Sequence, residues 1–363
     1  MKTTRIVILL TLWLGINPSR SLAQTWDTLS TRGESSSFEM WTYLEPYFAY
    51  DLNDPASHNI PYLYNYSRHN EFNLNLALIE ADYQGEHMRT TIGLQTGTYP
   101  MMNYSAEPSL FQHIYQAFGG VQIAPDLWFD AGIFSSHIGI ESALGKEEWT
   151  LTRSLCAENS PYFETGARMA YDPEGPWSFG LYVLNGWQNI ADLNSNKALG
   201  TQIQFTFDSA VTLNSSTFYG NEKPDNAKQW RFFHDFYVLW TISPTIGISG
   251  TFDIGWQQSA PHSASSDRWY TFALIGHYQF ADHWAIGLRG EEYNDPAGVI
   301  VPTGTPNGYQ TFGYSGNIDY IVSEHATLRF EAKHYSSRDD IFVKDNTPTN
   351  GSTVLTSALG IEF

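Results

Sequence analysis

Along most of the chain, apolar and polar residues trade places with a period of two. Phe72, Leu74, Leu76 and Leu78 alternate with Glu71, Asn73, Asn75 and Ala77, and Met88, Ile92 and Leu94 alternate with Arg89, Thr91, Gly93 and Gln95. The same rhythm returns near the other end. Ile246, Ile248, Phe252, Ile254 and Trp256 alternate with Thr245, Gly247, Ser249, Thr251, Asp253, Gly255 and Gln257. Trp284, Ile286 and Leu288 alternate with Ala285, Gly287 and Arg289, and Phe312, Tyr314, Ile318 and Tyr320 with Gly313, Ser315, Asn317 and Asp319. Successive side chains of a strand point to opposite faces, so each segment predicts a strand with one apolar and one polar face. Beyond the first two dozen residues, no run of about 18 apolar residues occurs, which rules out helical membrane spans on length. A soluble sandwich would turn the same apolar faces inward, and periodicity alone leaves both arrangements open.

The connections separate the two. Tight turns are predicted near Gly85 to Glu86, Ala124 to Asp126, Asp172 to Pro176, Asp208 to Ser209, Ser243 to Pro244, Ala281 to His283 and Ser323 to His325. Between them fall longer polar loops near Asp51 to Asn70, Tyr99 to Phe111, Ser135 to Ser160, Asn189 to Lys197, Gly220 to Lys228, Gln258 to Asp267, Asn294 to Gly308 and Ser336 to Ser352. Strict alternation of short and long connections predicts an all-β fold: a transmembrane antiparallel up-and-down β-barrel of about 16 strands, with short periplasmic turns and long extracellular loops. An even strand number places both ends on the periplasmic side. Trp128 and Phe129, Trp177 and Phe179, Trp269 and Tyr270, Trp284 and Tyr320 lie near strand ends, where interfacial girdles are expected. In a soluble fold they would be core aromatics.

The two ends agree with export to such a membrane. Residues 1–23 read as a signal peptide: Lys2 and Arg5, an apolar stretch from Ile6 to Ile16, then Ser21 and Ala23 before Gln24. Residues 24–37 form a short polar lead and residues 38–363 the barrel. The last segment, Thr353 to Phe363, carries Leu355, Leu359, Ile361 and Phe363 on one face, and the terminal Phe363 is expected to serve as the barrel-assembly signal. Formal charge is -19, and loss of Lys2, Arg5 and Arg20 with the leader takes it to -22, a poor balance for binding nucleic acid. Charged residues are 16% and aromatic residues 15%, which suits lipid contact better than a soluble surface. A single Cys156 excludes an intramolecular disulfide framework.

Several segments also resemble a known family. Arg68 to Asn75, Asp130 to Phe134, Trp149 to Ser154, Glu158 to Tyr162, Leu184 to Trp187 and Leu213 to Thr217 are similar to segments of the OmpL-like beta-barrel porins of Bacteroidetes-type bacteria. The likeness is densest from about Tyr43 to Asp235. It implies an outer-membrane porin-like protein and leaves the cargo open.

A barrel of sixteen strands is wide enough for an aqueous channel, so passive passage of small hydrophilic solutes or ions is the expected function. By the alternation, Arg89, Arg168, Arg231, Arg289, Arg329 and Lys333 point inward, set against Asp130, Glu164, Asp253, Glu291, Asp319 and Glu331. Such a mixture either sets a transverse field across a constriction or simply pairs within a wet interior; Arg168 with Glu164 and Arg289 with Glu291 share a face of their own strands. The longest loop, Ser135 to Ser160, is the candidate to fold into the pore and narrow it through Lys146, Glu147, Glu148, Arg153 and Glu158. Gly145 to Glu148 resembles a turn entering a short helix. The alternative for this loop is an outward cap contacting lipopolysaccharide or a partner.

Catalysis has little support. His234 beside Asp235, and His137 after Ser135 and Ser136, are the only tempting sets, and adjacent strand residues point to opposite faces, which weakens both. No pair of His or Cys has zinc spacing, and Glu147-Glu148 and Asp339-Asp340 read as solvated loops, so no metal and no cofactor are expected. The expected partners are outer-membrane lipid and lipopolysaccharide, the barrel assembly machinery, and small hydrophilic solutes. The rival reading is a non-conducting barrel whose outer loops, with Tyr62, Tyr64 and Tyr66, bind a surface partner or polysaccharide.

Overall fold

A computed structural model describes residues 36–363. The expected leader and most of the polar lead therefore lie outside the described residues. The strands are β1 (Ser37–Asp51), β2 (Glu71–Gln84), β3 (Met88–Thr96), β4 (Ile114–Ala124), β5 (Leu127–Ser135), β6 (Phe163–Tyr171), β7 (Trp177–Leu184), β8 (Ala198–Phe207) and β9 (Val211–Asn221). They continue as β10 (Trp230–Ser243), β11 (Ile246–Gln258), β12 (Ser266–Ala281), β13 (Trp284–Asp295), β14 (Tyr309–Ser323), β15 (Ala326–Ser337), β16 (Phe342–Lys344), β17 (Thr347–Thr349) and β18 (Gly351–Glu362). All but β16 and β17 pair with their neighbours, antiparallel, into one closed barrel of sixteen strands. The small β16–β17 hairpin stands in the last long loop; with no alternating run of useful length, it gave no signal in the sequence.

Closure joins the first and last strands. β1 pairs with β18 from Tyr43 opposite Glu362 to Asp51 opposite Val354. Phe363 extends that seam: its N–H donates to the Thr42 carbonyl at 3.1 Å and its carbonyl accepts from the Thr42 N–H at 2.8 Å. A closed sheet leaves no unpaired edge, which is what lets strands sit in lipid. The outward face carries exposed Ile92, Leu94, Phe252, Leu288 and Leu355, as the alternation predicted. No helix among the described residues is long and apolar enough to cross a membrane.

Three expectations need correction. In β2 the pattern does not hold from Phe72 through Leu78. The β1–β2 register shifts between Glu45 and Pro46, and Asn75 is left without a β1 partner. Pro46 has no N–H to give to the ladder, so a bulge is tolerated there. The phase flips at this point: Phe72 stays exposed, whereas Leu76 and Leu78 turn inside and pack with Tyr99 and Tyr104 beside helix α1 (Thr98–Asn103). Among the expected girdle aromatics, Phe129, Trp177, Phe179, Trp284 and Tyr320 are exposed, but Trp269 is buried in the interior. Trp128 shares the inward face of Asp130 and lies under the guanidinium of Arg89. Finally, Gly145–Glu147 is a single 3-10 turn that leads into extended chain; the short helix α2 forms later, at Leu155–Glu158.

Candidate functional site: the loop-filled lumen

The loop between β5 and β6, residues 136–162, lies inside the barrel. His137 reaches from the end of β5 across β6 to β9, its Nδ1 2.8 Å from a Glu164 oxygen and its Nε2 2.9 Å from the Thr217 carbonyl. The His137 carbonyl accepts from Ser216 Oγ and Gln202 Nε2. Ile140 packs on Tyr237 and Leu239 of β10. The chain then descends to its lowest point at Lys146. There Nζ donates to the Glu324 carbonyl at 2.7 Å and meets a Glu362 carboxylate oxygen at 3.3 Å. Glu324 lies in the β14–β15 turn, at the end of the barrel opposite the one the loop entered. The loop therefore runs most of the length of the lumen. On the way back Trp149 stacks on His277 at 5.6 Å and 12°. Its space is made by glycine: a Cβ on Gly287 would stand 2.1 Å from the Trp149 carbonyl oxygen. Ser154 caps the single turn of α2 by accepting from the Ala157 N–H.

Charged groups on β13 and β15 hold the loop through its backbone and its threonine hydroxyls, with Asp319 of β14 bracing Arg329. Arg289 donates to Thr150 Oγ1 at 2.6 Å and Thr152 Oγ1 at 2.9 Å, and meets Glu331 at 3.1 Å. Glu331 accepts from the Thr152 N–H at 2.6 Å and hydroxyl at 2.7 Å. Glu291 accepts from the Leu155 N–H at 2.6 Å and pairs with Lys333 at 3.0 Å, and Lys333 donates to the Arg153 carbonyl at 2.9 Å. Arg329 is bidentate on Asp319, at 2.8 and 2.9 Å, and also donates to the Gly145 carbonyl. These side chains are almost fully buried. Desolvating so many charges is costly, and only hydrogen bonds of this density offset it; the loop carbonyls and amides supply them.

The other predicted inward residues are inside as well, with different partners from those expected. Arg168 pairs with Asp130 of the neighbouring strand at 2.8 Å. Glu164, the partner its own strand suggested, instead holds His137 and the Ser136 hydroxyl. Arg289 and Glu291 do approach, at 3.4 Å. Asp253 stands opposite Asp235 in the β10–β11 register, and Arg231 donates twice to Gln257 while lying between Trp187 and Trp269. His234, whose Nε2 is 2.8 Å from Ser215 Oγ, faces the opposite side of β10 from Asp235. In the loop, Glu148 accepts from the Ser142 N–H at 2.6 Å, Arg153 donates to the Ser142 and Leu151 carbonyls, and Glu147 is half-buried. Glu158 accepts from the amides of Tyr64 and Asn65 in the first long loop, and burial pushes its carboxyl up to about 7 against the pull of those donors and of Lys333.

Sequence reasoning missed the polar hub at β1. Glu45 accepts from Tyr43 Oη at 2.8 Å, Tyr66 Oη at 2.9 Å and Asn75 Nδ2 at 2.8 Å. Its inward tyrosine neighbours hid it, because in a polar-inside barrel they break the alternation that would have marked its face.

The loop expected to narrow the pore fills one side of it. Inward positions on β7 to β15 are sealed by the loop over most of their length. Solvent reaches the wall formed by β2 to β6, where Asp82, Arg89, Gln116, Phe118, Trp128 and Arg168 are half-buried. There Arg89 and Arg168 converge on one carboxylate: Arg89 is bidentate on Asp130 at 2.6 and 2.8 Å, and Arg168 adds a third contact at 2.8 Å.

Solved structures share the architecture. The anion-selective porin from Comamonas acidovorans superposes with a TM-score of 0.62 at 8% identity, covering 91% of this chain and 100% of that one. Salmonella typhi OmpF in complex with daunomycin gives 0.60 at 8% identity over 91% and 98%. OmpT, an outer membrane protein of Vibrio cholerae, gives 0.59 at 10% over 92% and 99%. At such identities the likeness is one of fold. No curated protein matches the sequence. The family described as "Putative beta-barrel porin-2, OmpL-like" matches residues 37–363, the whole of the barrel, and the chain belongs to this family of outer-membrane β-barrel porins.

Proposed function

We propose that the barrel is a passive channel for small hydrophilic solutes or ions, with a narrow conduit along the β2–β6 wall and not a wide central bore. The observation that carries this reading is the division of the lumen. One side is filled by the internal loop, and the other retains a polar, half-exposed wall. Selection by size follows from the loop, and selection by charge from the side chains it leaves uncovered. The rival, a non-conducting barrel with a binding surface built from loop tyrosines, loses much of its footing because Tyr66 is buried and Tyr62 packs against Tyr309 and Phe342.

Single-channel recording in planar bilayers tests the proposal. The folded protein should give small, steady conductance steps. Replacing residues 142–156 by a short Gly-Ser linker should raise the step size several-fold, because a sixteen-strand barrel without an internal loop is water-filled. A folded barrel that gives no steps overturns the channel reading.

A further inference from the structure

Apart from Arg231, which is buried against Gln257, Trp187 and Trp269, the inward-facing cations of the strands fall into two groups. Arg289, Arg329 and Lys333 have side chains no more than 1% exposed and are spent on the internal loop or on buried carboxylates. Arg89 and Arg168 keep 19% and 13% of their side-chain surface accessible, while the carboxylate they share is fully buried. Both oxygens of Asp130 are engaged by the two guanidiniums. What solvent meets at this depth is thus the positive half of the cluster.

The pair is also held in place. Arg89 lies 4.5 Å over the Trp128 ring, and Arg168 lies 4.7 Å over Phe134 and 5.0 Å over Phe118. Gly120 opens the space: a Cβ there would stand 2.0 Å from Asp130 Oδ1 and 3.1 Å from Arg89 Cγ. The acids nearby are Glu80, which is buried and accepts from Gln116, and Asp82, which is half-buried and accepts from Thr91 Oγ1 at 2.6 Å. Asp126 and Asp172 lie in the turns at the mouth, Asp172 near enough to Arg89 for the two charges to act on each other. Two accessible cations and the half-buried Asp82 line β2 to β6, and the exposed Glu39 of β1, opposite Asp82 in the β1–β2 register, flanks them at the turn end of the barrel.

We infer that Arg89 and Arg168 are the selectivity-determining cations of the conduit and give it a preference for small anions, although the whole chain is strongly acidic. The inference rests on the channel reading. Most of the acidic excess is carried where it does not act on a passing ion: in outer loops, where salt screens it within about 10 Å, or sealed beneath the internal loop. A narrow, low-dielectric passage instead amplifies the few charges that line it.

Reversal potential under a potassium chloride gradient, recorded on the refolded chain, decides the matter. The wild-type channel should favour chloride. The double variant Arg89→Gln/Arg168→Gln should lose most of that preference, and Arg89→Lys/Arg168→Lys should retain it. Asp130→Asn, which removes the buried negative charge but keeps an acceptor for the guanidiniums, should strengthen it, so the inference does not depend on the double glutamine variant folding. Arg338→Gln, in the last outer loop, serves as the charge control and should leave the potential unchanged. Open steps with a potassium preference, or a double glutamine variant with an unaltered potential, overturn the anion preference alone. Absence of steps in every folded variant overturns the channel reading and the preference with it.

Discussion

Arg289 shows how single side chains fix the lumen. It touches Glu291 and Glu331 on the wall and two threonine hydroxyls on the loop, and it is buried. Replacing it by Met removes the cation paired with Glu331 and leaves Lys333 as the cation paired with Glu291, so Arg289→Met should cost about 3–5 kcal/mol. Urea titration followed by tryptophan fluorescence in detergent reads that loss as a lowered midpoint. The exposed pair Lys197 and Asp192 offers the contrast: Lys197→Ala should change stability by less than about 1 kcal/mol. Glu158 adds a pH dependence. Its carboxyl sits at about 7 in the folded barrel because burial disfavours the charged form, whereas an unfolded glutamate titrates near ~4.3. Between those values the folded state binds more protons, so its stability falls as pH rises through 7. Thermal midpoints at pH 5 and pH 8 should differ in that direction, and Glu158→Gln should flatten the difference.

At the level of elements, the strands were readable because each buries one face and exposes the other, so every second residue votes on the assignment. The inward set Arg89, Asp130, Arg231, Asp253, Arg289 and Arg329 follows from that vote alone. Where a strand breaks step, the vote misleads: one proline at position 46 carried Leu76 and Leu78 inside. The path of the internal loop was legible only as length and apolar content. Its anchors are backbone groups received by side chains 136 to 184 residues away, such as Leu155 on Glu291, Thr152 on Glu331 and Gly145 on Arg329, and local sequence does not encode such partners. The fit between loop and wall yields its own prediction. Gly287→Ala forces a methyl against a backbone carbonyl that has no rotamer with which to retreat, so the loop itself must shift. Strand content by circular dichroism should stay the same, while protease cleavage within residues 140–152 and conductance should both rise. An alanine variant with wild-type cleavage and conductance would sink this account of the loop's seating.

For the whole molecule, the loop is the part that ties distant strands together. His137 reaches β9, Trp149 reaches β12, and Lys146 lies beside residues of β1 and β18 at the seam. Tyr43 on β1 accepts from the Lys146 amide at 3.0 Å, and Glu362 on β18 meets its ammonium group. Cysteines at positions 146 and 360, where a Cβ on Gly360 would stand 3.0 Å from the Lys146 Cβ, should therefore cross-link in the folded protein and not in the unfolded one, detectable as a faster-migrating band without reductant. That contact also bears on history. A finished cylinder offers no room to thread a folded, hydrogen-bonded segment down its length, and the segment's charged anchors lie on strands made after it. The later strands must be wrapped around the loop as they join, as staves are bent around a former, with the first and last strands meeting only once the former is in place.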